Sequence, residues 1–133
     1  METISLEDAK RVVAAAEKKA ADIGCPMDIA VVDGGGNLKA FVRMDDAFLG
    51  SVDIAINKAF TAVAFKMPTE DLAKAAQVGE PIFGINTTND GRVVIFGGGV
   101  PLRRGGDIVG AVGVSTGTVP QDQEVAEAGA AAF

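Results

Sequence analysis

Chemistry in this sequence could come from one strand-to-helix junction, one polar helix row and one run of glycines. Arg43-Met44-Asp45-Asp46 sets a guanidinium beside two carboxylates. Asp45 could act as a general acid or base if burial raised its pKa. Asp45 and Asp46 equally suit helix capping and solvated ion pairs. Strand alternation aims Arg43 to the face that carries Phe41, where it could clamp a carboxylate bidentately. Asp53, Asn57 and Thr61 then recur at i, i+4 spacing, and Lys58 shares a face with Thr61. A half-buried Lys58 could bind an anion or serve as a base. The plainer reading of that row is a solvated helix face.

Gly97-Gly98-Gly99 offers backbone amides with no side chains in the way, the makings of an anion nest. Arg103 and Arg104 follow closely. The Gly-Lys-Ser/Thr end of a Walker A loop is missing, and a strand rather than a helix should follow, unlike a dinucleotide fingerprint. The alternative is a flexible turn closing a long hairpin. Ser115-Thr116-Gly117-Thr118 ends a strand ahead of a helix, where hydroxyls and free amides can hold an anion or simply cap.

Several chemistries are excluded outright. Among 133 residues there is no His, Tyr or Trp, so there is no imidazole dyad, imidazole metal ligand or phenolic acid. Cys25 is the one cysteine. It has no partner for a disulfide within the chain and reads as a small buried filler. Twelve Lys and Arg against 18 Asp and Glu give a net charge of −6, which disfavours nucleic acid and anionic membranes as partners. No apolar run approaches the roughly 20 residues of a membrane span, and the N-terminus is acidic and polar. The expectation is a cytoplasmic protein.

The elements that must position these groups are legible from periodicity. Leu6, Ala9, Val13, Ala16, Ala20 and Ile23 predict a helix over 5–24, with Ser5 at its start. Two strands, 28–33 and 38–43, flank the turn Asp33-Gly34-Gly35-Gly36-Asn37. Phe48, Val52, Ala55, Ala59 and Ala62 predict a helix over 47–66. Thr69 caps a short helix through Gln77, and 79–91 reads mostly as loop. Strands at 92–96 and 107–114, joined by the glycine-rich 97–106, precede a last helix from about Pro120. One domain over 1–133 follows, an α+β fold with a sheet of about five antiparallel strands flanked by helices.

In combination the motifs are more specific than any one alone. Arg43-Met44-Asp45, Ser51-Val52-Asp53-Ile54-Ala55, Lys58-Ala59-Phe60-Thr61-Ala62, Phe96-Gly-Gly-Gly-Val-Pro-Leu102, Gly110 to Ser115 and Gln121-Asp122 occur in that order. The chain resembles the GlcG/HbpS family, the haem-degrading domain family, over nearly its whole length. The resemblance implies a profilin-like α/β sandwich and assembly into a homo-oligomer. It also implies haem binding in some members, and in others a place beside the catabolism of small organic or aromatic acids. Two departures stand out: Asn37 replaces a His frequent in the family's turn, and Ser115-Thr116-Gly117 replaces Ser-Gly-Gly.

The reading that follows is an oligomeric binding protein for a small carboxylate. Arg43, Thr61, Gly97, Gly98, Gly99, Arg103 and Ser115 would line the pocket. An enzyme reading would be proton transfer, an isomerase or lyase acting on a hydroxy- or oxo-acid, with Lys58, Asp53 or Asp45 as the base. The third reading is a tetrapyrrole ligand, with haem as cofactor but no His to hold its iron.

Overall fold

The computed structural model describes residues 2–133. Four strands form one antiparallel sheet in the order β2-β1-β4-β3. They are β1 (Asp28–Asp33), β2 (Leu38–Arg43), β3 (Gly99–Arg104) and β4 (Asp107–Ser115). The helices are α1 (Leu6–Asp22), α2 (Gly50–Phe65), α3 (Thr69–Ala75) and α4 (Val119–Ala131).

Both sheet faces are covered. Ile29 and Val31 of β1 and Val112 and Val114 of β4 pack with Ala9, Val12, Val13 and Ala16 of α1 and Val125 of α4. Val32 and Ala111, pointing the other way, meet Ala59 and Ala62 of α2. This explains why β1 reads as a continuous apolar run: strands covered on both faces lose the alternation. The α2 layer lies very close, since a Cβ on Gly113 would sit 2.6 Å from the Ala59 nitrogen.

The α+β class holds, with four strands where about five were expected. The segment 92–96, apolar enough to suggest a strand, is irregular. It is tied to α2 by a side chain instead: the Val94 N–H donates to Thr61 Oγ1 at 3.0 Å. The stretch 97–106, expected as a connection, contains β3. Pro101 is tolerated there because β3 is an edge strand and needs no outward donor.

Two capping expectations also change. Leu49 is the N-cap of α2 and supplies no side-chain bond, so neither Asp45 nor Asp46 caps it. Pro68 stands at the N-cap of α3, and Thr69 turns its hydroxyl to the Gly99 N–H at 2.9 Å instead. Ser5 does cap α1, accepting from the Asp8 N–H. Phe48, placed by periodicity on the apolar face of α2, is 64% exposed.

Candidate functional site

The sheet end where β1 begins and β4 finishes gathers several of the candidate residues. Asp28 stands opposite Arg43 on one side and opposite Ser115 on the other. The three therefore form a row across β2, β1 and β4 on the face that carries α2. Phe41 lies on that same face, opposite Ala30. Ser51, in the first turn of α2, meets Ser115 through their hydroxyls at 3.1 Å, both buried. The Arg43 side chain is exposed and makes no ion pair or hydrogen bond among the described residues.

Asp28 is fully buried. Its Oδ2 accepts from Thr116 Oγ1 at 2.8 Å, and Thr116 Oγ1 accepts in turn from the Phe48 N–H at 3.2 Å. Its Oδ1 has no partner. Thr116 sits at φ 120°, a conformation that costs a β-branched residue free energy and must be held by its surroundings. Burial pushes the Asp28 carboxyl above the usual carboxylate range, against the opposing pulls of Thr116 and Arg43. A raised folded-state pKa means that stability falls as pH rises through the raised value. Asp28→Asn is therefore expected to raise Tm more at about pH 8 than at about pH 4.5. A Tm difference that stays flat between those two values would contradict this.

Lys58 and the glycine run lie next along the same sheet end. The Val114 N–H donates to the Gly98 carbonyl at 2.9 Å. Lys58 is fully buried, and its Nζ donates to the Val114 carbonyl at 2.7 Å and to Asp122 Oδ2 at 2.9 Å. The Nζ also lies 5.0 Å from the centre of the Phe96 ring. The other Asp122 oxygen accepts from the Gly117 N–H at 2.9 Å. Burial lowers the Lys58 pKa and raises that of Asp122, while each opposes the shift in the other. The pair is thus a closed unit: every oxygen and the ammonium already have partners.

Two of the three glycine amides, those of Gly98 and Gly99, are similarly engaged. The Gly98 N–H donates to Gln123 Oε1 at 3.0 Å and the Gly99 N–H to Thr69 Oγ1. What requires glycine here is close approach: a Cβ on Gly98 would stand 2.7 Å from Lys58 Nζ.

The remaining candidates are dispersed. Thr61 is buried and ties 92–94 to α2. Asp53 is exposed and accepts from Asn57 Nδ2 at 3.1 Å. Asp45 is exposed and, with Glu17, Val42, Arg43 and Met44, lines a groove of about 390 Å³. Arg103 faces a cavity of about 420 Å³ with Glu2, Gly34, Lys66 and Asp107, at the opposite end of the sheet.

Asp28 and Asp122 were not recognisable as site residues in the sequence. Asp28 looked like a strand start, and helix-dipole compensation accounted for Asp122. An aspartate opening the apolar run Ile29–Val32 was the signal available for the first. Among the described residues no three His, Cys, Asp or Glu side chains cluster in a way that could hold a metal. No helix among them is long and apolar enough to cross a membrane.

Comparison with known proteins agrees with the motif pattern. An uncharacterized 15.0 kDa protein encoded in the dhaT-dhaS intergenic region of Citrobacter freundii is 48% identical over 125 residues, covering 94% of this chain and 88% of that one. The crystal structure of Klebsiella pneumoniae ORFY superimposes with a TM-score of 0.97 at 44% identity, covering 100% of this chain and 92% of that chain. A crystal structure of a PduOC:haem complex superimposes with a TM-score of 0.94 at 37% identity, covering 98% and 95%. The family model described as haem degrading protein HbpS-like matches residues 4–131, and the chain belongs to that HbpS-like family.

Proposed function

We propose that this protein binds a carboxylate-bearing small molecule at the Arg43 end of the sheet. The observation that carries this reading is Arg43 itself. In a chain of net charge −6 it stands without a carboxylate partner, in register with Asp28 and Ser115. The N-terminus of the 16-residue α2, which has no side-chain cap, adjoins the same row through Ser51. A guanidinium without an ion-pair partner and the positive end of a helix together favour an organic anion.

Two sources of that carboxylate are in play. One is a free small organic acid. The other is a tetrapyrrole, whose propionates present the same group; the haem complex of a relative at 37% identity supports this second source. With no His in the chain, the soft donors are Cys25, Met27 and Met44. Met27 is buried in the core, and the Cys25 thiol, raised in pKa by burial, lies 3.9 Å from the Met27 sulfur. Met44 lines the groove that holds Arg43. A neighbouring groove of about 390 Å³ shares Glu17 and Val42 with it and carries Lys10 and Lys39 beside Val13, Ala14 and Ala40. Haem would find an apolar wall and basic groups for its propionates there, whereas the Met44 sulfur already accepts the Met27 N–H at 3.4 Å and is not free to hold iron. Bound haem would supply redox and oxygen chemistry.

The test has two arms. Haemin is titrated into the protein and followed by absorbance; small hydroxy- and oxo-acids are screened by thermal shift. Saturable binding in either arm that weakens at least about tenfold in Arg43→Met is the expected result, since a charge-assisted bidentate contact contributes about 1.5–3 kcal/mol. A ligand that binds Arg43→Met as tightly as the wild type would refute the assignment of Arg43.

A further inference from the structure

The geometry points to Asp28 as the residue that selects a hydroxy-acid over the matching oxo-acid, an inference that rests on the small-acid reading above. Asp28 Oδ1 is the one buried side-chain oxygen or nitrogen without a hydrogen-bond partner among the described residues. In its ionised form a buried carboxylate oxygen is an acceptor only, and leaving it empty is costly. Its twin, Oδ2, is already served by Thr116, so what Oδ1 lacks is a donor.

The hydroxyl donors nearby are committed elsewhere, and the one free donor group is the Arg43 guanidinium, which the ligand's carboxylate would take. Ser115 and Ser51 bond each other. The Thr116 hydroxyl proton goes to Oδ2, and its oxygen takes the Phe48 N–H. Arg43, opposite Asp28, is exposed and unbonded.

Opposed residues on neighbouring strands have Cα atoms about 5 Å apart. A short acid can therefore give its carboxylate to Arg43 while its carbon-2 substituent reaches Asp28. A hydroxyl at that carbon donates an O–H to Oδ1. An oxo group brings only lone pairs, which face another acceptor and add a second unpaired group. The site therefore takes 2-hydroxy-acids and rejects 2-oxo-acids.

Entry involves the segment between β2 and α2. Its Phe48 and Leu49 side chains are 64% and 76% exposed, so little buried apolar surface holds it. Its link across to the residue that follows β4 is the 3.2 Å bond from the Phe48 N–H to Thr116 Oγ1.

Lactate and pyruvate differ only as C–OH and C=O at carbon 2 and make the decisive pair. Calorimetry on the wild-type protein should give lactate at least about tenfold tighter than pyruvate, the penalty of an unpaired buried acceptor. In Asp28→Asn an amide N–H₂ can face the ligand, so the ratio should fall to about one or invert. Pyruvate binding as well as lactate to the wild type would overturn the assignment, as would an unchanged ratio in Asp28→Asn. Should Asp28→Asn fail to fold, the wild-type ratio decides alone. Equal binding of both acids, lost in Arg43→Met, would leave the proposed function standing and remove Asp28 from it. Haemin binding with no response to either acid would also remove Asp28 while keeping the tetrapyrrole arm. Silence in all three titrations would overturn both.

Discussion

Asp122→Asn is expected to cost about 3–5 kcal/mol, the range measured when one member of a buried ion pair is removed. The amide keeps the shape of the side chain and can still accept from the Gly117 N–H. Lys58, wholly buried, is left with no anion. It can escape by giving up its proton, and the cost of that escape bounds the effect. Neutralising a lysine of ordinary pKa at pH 7 costs about 4.6 kcal/mol.

The pH dependence follows with a definite sign. Burial already lowers the Lys58 pKa, and loss of Asp122 lowers it further. Between the folded and unfolded values the unfolded chain holds more protons, so stability rises with pH. The deficit of Asp122→Asn should therefore shrink between about pH 7 and about pH 9.5. Paired replacement, Lys58→Met with Asp122→Leu, should recover part of the loss: an apolar pair of similar volume removes both buried charges, while the Gly117 N–H and the Val114 carbonyl lose their side-chain partners. Chemical denaturation of the four species of the double-mutant cycle measures the coupling. Single variants within about 1 kcal/mol of the wild type would show that the pair contributes little.

Gly113→Ala is the second large effect, about 3 kcal/mol or more, from overpacking against backbone that has nowhere to go. The new Cβ would overlap the Ala55 carbonyl and stand 2.6 Å from the Ala59 nitrogen. Both atoms belong to α2, so the helix must lift from β4 as a unit. Relief by a rotamer change is not available. Gly106→Ala, where a Cβ meets nothing within 4 Å, is the matched control and should stay within about 0.5 kcal/mol of the wild type. Equal Tm values for the two variants would contradict the tight α2–β4 contact.

These two sites also show what the sequence could and could not convey. The hairpin of β1 and β2 was legible to the residue because glycine turn chemistry and β-branched residues agree there. Helix α1 was legible to within two residues at its ends, expected over 5–24 and found over Leu6–Asp22, since Ser5 and the 3,4-spaced apolar row are local signals. The segment 92–96 misled because its apolar, β-branched residues suggest a ladder, whereas the Val94 N–H is taken by the Thr61 hydroxyl of α2. β3 was hidden by Gly99 and Pro101, residues that ordinarily argue against a strand. Its pairing is supplied by β4, from Gly99 opposite Gly113 onward.

The site was legible in its parts and not in its pairings. Lys58, Arg43 and Ser115 stood out by residue type and position. Asp122, 64 positions from Lys58, had a sufficient local explanation at the start of α4, so nothing in the chain pointed back to the lysine. The glycine amides looked free because their acceptors, Thr69 and Gln123, lie 30 and 25 positions away. Local pattern reports what a residue can do; only the tertiary fold reports which partner has already taken it.

The sheet order has a consequence for how the chain matures. Its two central strands, β1 and β4, are contributed by opposite ends of the sequence, and the Asp28–Thr116 bond joins positions 88 apart. During synthesis β1 and β2 can pair at once, but one edge of β1 stays bare until β4 emerges. That edge belongs to a strand apolar on both faces, the kind of surface that recruits foreign strands. Such distant pairing is closed late and slowly. The nascent chain is therefore most exposed to misassembly in the interval between making Asp33 and making Ser115, and a chain halted before β4 has no partner with which to finish its first hairpin.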